Sequence, residues 1–187
     1  MNKKIIGVVA CGAVAASMAI GASASDELIK VGYAQVGHES DWRTANTQNY
    51  QDVFSEENGY ELSFVDCDND NAAQIEAVRN FINQELDYIV IAPIQSAGWD
   101  TVLQEAQDAG IPVIIADREI EASDDLYDAW VGTNTTNEGI TAGNWLAENL
   151  DGKEANILVI EGSVGASAAL GRSDGFNQVA ADHDEWT

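Results

Sequence analysis

The sequence predicts an α/β fold built on a parallel sheet with helices on both faces. Three observations carry that expectation. Short β-rich runs alternate with helix-period segments from Ile29 onward, two of the runs are apolar throughout, and polar clusters fall where strands hand over to helices. A parallel connection needs a crossover that packs right-handed, which puts helices against the sheet. In such open sheets ligands bind outside the carboxyl ends of the strands.

Val31, Tyr33 and Ala34 read as the first buried strand, ended by Gly37, with Ser40 or Asp41 able to cap the next helix. That helix is expected over Trp42 to Glu57, with Trp42, Ala45, Val53 and Phe54 inward and Gly59 as its stop. Tyr60 to Val65 is the second strand. A polar turn over Asp66 to Asn71 supplies Asn69 or Asp70 as cap for a helix carrying Ile75, Val78, Phe81 and Ile82. Tyr88 to Pro93 and Pro112 to Ala116 are the continuous apolar runs of strands buried on both faces. Between them a helix starts near Trp99, turns Val102, Leu103 and Ala106 inward and ends at Gly110. Tyr127 to Val131 follows as a short strand, and Thr133-Asn134-Thr135 caps a helix running to Leu150. Ile157 to Ile160 is read as a further strand, and Gly162 to Gly165 leads into a helix containing Leu170, Arg172 and Phe176.

The cluster Glu39, Ser40, Asp41, Trp42 and Arg43 at the end of the first strand combines acceptors, a rigid aromatic face and a forked cationic donor. That mixture suits a neutral polyol. Arginine N–H groups donate to hydroxyls, with charge-assisted hydrogen bonds worth roughly 1.5–3 kcal/mol when buried. Carboxylates accept from hydroxyls, and an indole covers the C–H face of a sugar ring. The alternative is a core Trp42 beside a surface Arg43 paired with Asp41. Asp117 and Arg118, after the VIIA run, form the second constellation; adjacent residues point to opposite sides of a strand, so both face a ligand only if the chain turns there. Its alternative is a structural ion pair. Arg172 is the third candidate, with an ordinary surface arginine as its alternative.

The N-terminus reads as an export signal: a basic MNKK start, an apolar stretch from Ile5 to Ile20, and Ala22-Ser23-Ala24 as a peptidase site, giving a signal peptide over residues 1–24. Val8 to Gly12 has a second reading as a lipobox with Cys11 as the lipid-bearing residue, although the apolar run before Cys11 is very short. Loss of Lys3 and Lys4 would make the formal charge of −24 two units more negative. Such a charge repels nucleic acid and favours a solvated surface. The cysteines are Cys11 and Cys67, so removal of the first leaves no internal disulfide, and Cys67 is expected to be a packed small side chain.

No catalytic set emerges. Gly162-Ser163-Val164-Gly165 lacks the lysine of a phosphate loop and the third glycine of a dinucleotide fingerprint, and Glu161 breaks the G-x-S-x-G pattern. His38 and His183 are too isolated to join Cys67 in a metal site, so neither metal nor cofactor is expected.

Taken together, VGYAQVGHESDWR, IAPIQSAGW, IPVIIADR and GSVGASAALGRSDGF resemble the sugar-binding proteins of bacterial ABC transporters, in the ribose and galactose type I periplasmic-binding class that includes galactofuranose binders. The likeness runs from about Ile29 to Phe176. It implies two similar α/β lobes that close over a sugar, here residues 28–132 as a first lobe lacking its return segment and 133–187 as the beginning of a second. It implies further that Glu39, Ser40, Asp41, Trp42, Arg43, Asp117 and Arg118 line the first lobe's side of the cleft, that Arg172 reaches in from the second, and that Asn134 lies near the crossing. The chain stops at Thr187, and completing the second lobe would take on the order of another hundred residues, as expected of a fragment. The function expected is capture of a monosaccharide, of galactofuranose, galactose or ribose type, by a monomer that delivers it to a permease without chemistry on the sugar. An extracytoplasmic sensor feeding a receptor kinase or chemoreceptor is the alternative. A sugar-responsive repressor of the same fold would need an N-terminal helix-turn-helix where this chain has its export signal.

Overall fold

Five parallel strands form one sheet in the order β2-β1-β3-β4-β5 in this computed structural model, which describes residues 27–187. The signal peptide expected over residues 1–24, with Cys11, lies outside the described residues. The strands are β1 (Ile29–Gln35), β2 (Tyr60–Asp66), β3 (Tyr88–Ile91), β4 (Val113–Asp117) and β5 (Ala129–Gly132). The apolar runs take the inner places. Tyr33 faces Phe64 on one side and Val90 on the other, and Ile91 faces Ile115. Every β-crossover carries a helix or a helical turn, as a parallel connection demands.

The crossovers cover both faces. From α1 (Asp41–Val53), Tyr50 stacks on Tyr33 with ring centroids 4.1 Å apart, and Phe54, the residue after its last turn, meets Tyr60 edge-on at 5.1 Å. On the opposite face, Gly32 gives way to α2 (Asn71–Asn83), since a Cβ there would lie 2.6 Å from the Phe81 ring. Next to α2 lies α3 (Asp100–Asp108), with Val102, Leu103 and Ala106 buried as expected. Trp99, fully buried, packs into the same core and donates from Nε1 to the Gln95 carbonyl at 2.8 Å. Of the two caps offered at each start, Ser40 takes α1 and Asp70 takes α2.

The inward face of α1 is not the expected one. Trp42 and Val53 are exposed, at 60% and 47%, and Ala45 is exposed too, so that of the four residues expected inward Phe54 is the one packed against the core. Arg43, Asn46, Thr47 and Tyr50 take the inner face instead. The cause is Gln35, which is fully buried and needs acceptors for its amide: Asn46 Oδ1 at 3.0 Å and Thr47 Oγ1 at 3.1 Å supply them. The helix also ends at Val53 rather than Glu57. A short 3-10 turn over Glu56–Asn58 leads to Gly59, whose φ of +86° closes the segment.

After β5 the chain forms α4 (Thr135–Leu150) and α5 (Ser167–Ala180), packed tightly on each other. Gly139 and Gly175 permit that approach: a Cβ on the first would overlap the Arg172 carbonyl, and one on the second the Thr136 carbonyl. The strand expected over Ile157 to Ile160 is absent. A strand exists only where a neighbour completes its backbone hydrogen bonds, and none of the five strands pairs with this segment. Its environs hold one isolated bridge, Ala155 to Trp186, while Leu158 and Ile160 are 87% and 89% exposed.

Candidate functional site

The strand order places a topological switch between β1 and β3, where successive crossovers leave in opposite directions and a crevice opens at the carboxyl ends. Gln74 bridges that divergence from α2. Its amide donates to the carbonyls of Ala34 at 3.1 Å and Ala92 at 2.7 Å, and its oxygen accepts from Ile94 N at 2.9 Å. With the strand ends tied, the loop after β1 and the turn after β4 project into the same space.

Arg43 is the centre of that space. It is only 3% exposed, and its Nη2 donates to Asp117 Oδ2 at 2.7 Å while Nε donates to Glu39 Oε1 at 3.1 Å. Burial pulls its pKa down, but the Asp117 and Glu39 carboxylates outweigh burial and the net direction is up. Trp42 lies outward with the Arg43 guanidinium 4.9 Å from its ring centre, a cation–π contact. The reading of Trp42 as core and Arg43 as a surface charge is therefore reversed.

Asp117 and Arg118 do not pair with each other. Asp117 takes a left-handed conformation, φ +67°, and Arg118 N donates back to the Ala116 carbonyl at 2.9 Å. That is the turn needed for both side chains to face one way. A non-glycine residue held there stores strain of order 1–3 kcal/mol, a feature that clusters at ligand clamps. Arg118 points toward Glu39 Oε1 at 3.8 Å and the Pro93 carbonyl at 3.5 Å. Burial first, then the positive charge of Arg43, lowers its pKa.

Glu39, Ser40, Trp42 and Arg43 share a cavity of about 460 Å³ with Asp117, Arg118 and Arg172. Asp41 and Asn134 do not line it. Asp41 is exposed in the first turn of α1, and Asn134 spends its side-chain oxygen capping α4 through Asn137 N at 2.9 Å. Three lining residues escaped the sequence reading: Thr133, Glu138 and Ala168. Glu138 Oε2 accepts from Arg172 Nε at 2.7 Å. The one signal for it was an acid in the first turn of a helix whose start faces the strand ends. With Glu138 counted, the arginines Arg43, Arg118 and Arg172 are matched by Glu39, Asp117 and Glu138, so the lining is charge-balanced and rich in oriented donors. Such a lining suits a neutral ligand covered with hydroxyls.

A second, more apolar opening of about 580 Å³ shares Arg118, Glu138 and Arg172 and is otherwise walled by Ile157–Gly162 and α5. Among the described residues no group of three His, Cys, Asp or Glu side chains is placed to hold a metal. His38 pairs with Asp66 at 2.8 Å, and His183 pairs with Glu185 and stacks on Trp186. Cys67 is buried, which pushes its thiol pKa up to about 12.

A parallel sheet in this order, with helices on both faces and a polar cleft at its carboxyl edge, has the α/β fold of the periplasmic binding proteins. Residues 31–187 match the periplasmic binding protein domain, and the chain belongs to that family. It is 41% identical over 177 residues to the galactofuranose-binding protein YtfQ of Escherichia coli, covering 94% of this chain and 54% of that protein. Among solved structures it resembles the periplasmic binding protein component of the arabinose ABC transporter from Shewanella sp. ANA-3, bound to α- and β-L-arabinofuranose. The TM-score is 0.77 at 40% identity, over 84% of this chain and 52% of that one. It also resembles the fructose-binding periplasmic domain of the hybrid two-component system BT1754, with TM-score 0.75 and 29% identity over 85% of this chain and 52% of that one. The chain thus spans about half the length of these relatives. They are sugar-binding proteins rather than enzymes.

Proposed function

We propose that the protein is an extracytoplasmic solute-binding protein that captures a monosaccharide, of galactofuranose, galactose or ribose type, and delivers it to an ABC permease by hinge closure. The observation that carries this reading is the convergence of Glu39, Ser40, Trp42, Arg43, Asp117, Arg118 and Arg172 on one cavity of about 460 Å³. That volume falls in the roughly 300–1,000 Å³ range of small-molecule sites. Arg43 and Arg118 are already oriented by carboxylates, so little side-chain entropy is lost when hydroxyls replace water. Trp42 supplies the flat face on which a ring stacks. Residues 28–132 act as one lobe and 133–187 as the start of the other, and contacts from both to one sugar favour the closed form. No bond in the sugar changes.

A thermal-shift panel of pentoses and hexoses, galactofuranose included, on the full-length protein is the direct test. A sugar at about 100 times its Kd adds about 2.7 kcal/mol of stability. No shift with any sugar rejects the reading. Export follows from cleavage after Ala24, with anchoring through Cys11 as the alternative, and the mass of the mature N-terminus decides between them. A monomer is expected by size-exclusion chromatography.

A second reading is supported by the likeness to the periplasmic domain of a two-component system: capture of the sugar for a receptor kinase or chemoreceptor. Deleting the gene and following uptake of labelled sugar separates the two, since loss of uptake supports transport and intact uptake with a lost transcriptional response supports sensing.

A further inference from the structure

Three guanidinium groups surround one small cavity, and their like charges oppose that arrangement. Each has a carboxylate beside it: Arg43 has Asp117 and Glu39, Arg118 has Glu39 at longer range, and Arg172 has Glu138. Arg172 differs from Arg43 in how it is held. Its Nε donates to Glu138 Oε2 at 2.7 Å, and among the described residues neither of its Nη groups has a protein partner.

The backbone fixes this pair. Glu138 immediately precedes Gly139 and Arg172 immediately follows Gly171. A Cβ on Gly139 would overlap the carbonyl oxygen of Arg172 itself, and one on Gly171 would overlap Thr135 Oγ1. The helices therefore approach at the two positions next to the charged partners, which sets the ion pair in register. The hydrogen bond from Arg172 is also the leading cause of the lowered Glu138 pKa.

We propose that Glu138 is a positioning residue of the sugar site: by accepting from Arg172 Nε it leaves both Nη groups for two neighbouring hydroxyl oxygens of one ring, and it holds the guanidinium there against Arg118 and Arg43. The assignment rests on the sugar-binding reading of the cavity. Glu138 acts through Arg172 and does not itself touch the ligand. Because the pair is half-exposed, its removal leaves the unliganded fold nearly as stable as before.

The test uses Glu138→Ala, Glu138→Gln and Arg172→Ala in the full-length protein, each alone, and Glu138→Ala combined with Arg172→Ala. Glu138→Ala is expected to weaken sugar binding about tenfold, about 1.4 kcal/mol, and Glu138→Gln, which keeps an acceptor, by about threefold. In the Arg172→Ala background, Glu138→Ala has no further effect. The Arg172 Nε–Hε NMR resonance of the unliganded protein shifts to the position of a free arginine in Glu138→Ala. An equal loss of affinity in the Arg172→Ala background overturns the proposal, because Glu138 then meets the sugar directly. An unmoved Arg172 resonance overturns it as well. Should the wild-type protein bind no sugar, the sugar reading fails, and the resonance still decides whether Glu138 positions Arg172.

Discussion

Arg43 and Asp117, 74 residues apart in sequence, meet through a 2.7 Å hydrogen bond between Nη2 and Oδ2. The bond joins the first turn of α1 to the last residue of β4, across the carboxyl end of the intervening β3. It ties the two halves of the proposed site to each other before any ligand arrives.

Replacing Arg43 by alanine therefore has two effects. The unliganded protein should lose about 1.5–3 kcal/mol, because a nearly buried charged group with two carboxylate partners is removed. Sugar-dependent thermal stabilisation should vanish. Arg118→Ala, whose contacts are longer, should cost less than about 1 kcal/mol in unliganded stability while also abolishing the sugar response. Differential scanning calorimetry with and without sugar reads both, and an undiminished sugar response in both variants removes these arginines from the site.

Asp117 offers a test of strain. At φ +67° alanine keeps the unfavourable conformation and glycine relieves it, so Asp117→Gly should be more stable than Asp117→Ala by about 1 kcal/mol. Equal urea midpoints for the two variants would show that the turn relaxes.

Gln74 satisfies three buried backbone groups at the crevice. Gln74→Leu, similar in size but unable to hydrogen-bond, should destabilise the protein by about 2 kcal/mol or more, since each orphaned group costs roughly 1–3 kcal/mol. Hydrogen exchange at Ile94 should accelerate at the same time. Wild-type protection at Ile94 N–H in this variant would contradict the role.

Gly175→Ala should loosen the α4–α5 pair, because the added methyl overlaps the Thr136 carbonyl. Overpacking of this kind costs typically about 1–3 kcal/mol. Sugar affinity should fall along with stability, since α5 carries Arg172. A variant with unaltered Tm would mean that the helices part without penalty.

His38 gives a pH signature. The Asp66 hydrogen bond, then its charge, raises the His38 pKa above the ordinary 6.5; burial acts to raise that of Asp66, but the Asp68 N–H and then His38 outweigh it and the net direction is below 3.8. The stabilisation from His38 is therefore fully present below pH 6.5 and is lost as pH rises through the folded-state pKa. That from Asp66 is present above pH 3.8 and is lost as pH falls through its own lowered value. The pair should be strongest between these limits. In an NMR titration the His38 pKa should drop toward 6.5 on Asp66→Asn, and a value indifferent to that change would show that the ion pair does not form.

Most of the sheet was legible because its signals are local. The apolar runs at Ile89–Ile91 and Val113–Ala116 and the caps Ser40, Asp70 and Asn134 each act within a turn or a strand of themselves. The inward face of α1 was not legible, since its partner is the buried amide of Gln35 and hydrophobic periodicity pointed to Trp42 and Val53 instead. The segment Ile157–Ile160 has the composition of a strand, but among the described residues its pairing stops at Ile157, whose N–H donates to the Thr187 carbonyl at 2.7 Å, and it joins none of the five strands.

The sequence alone determined the alternation of strands and helices, the parallel sheet that follows from it, and the arginines and acids at strand ends that suggested a sugar. Tertiary structure alone decided which charges meet. Asp117 chose Arg43 over its neighbour Arg118, and Glu138 took Arg172, because strand order and glycine-permitted helix contact set distances that no local pattern encodes.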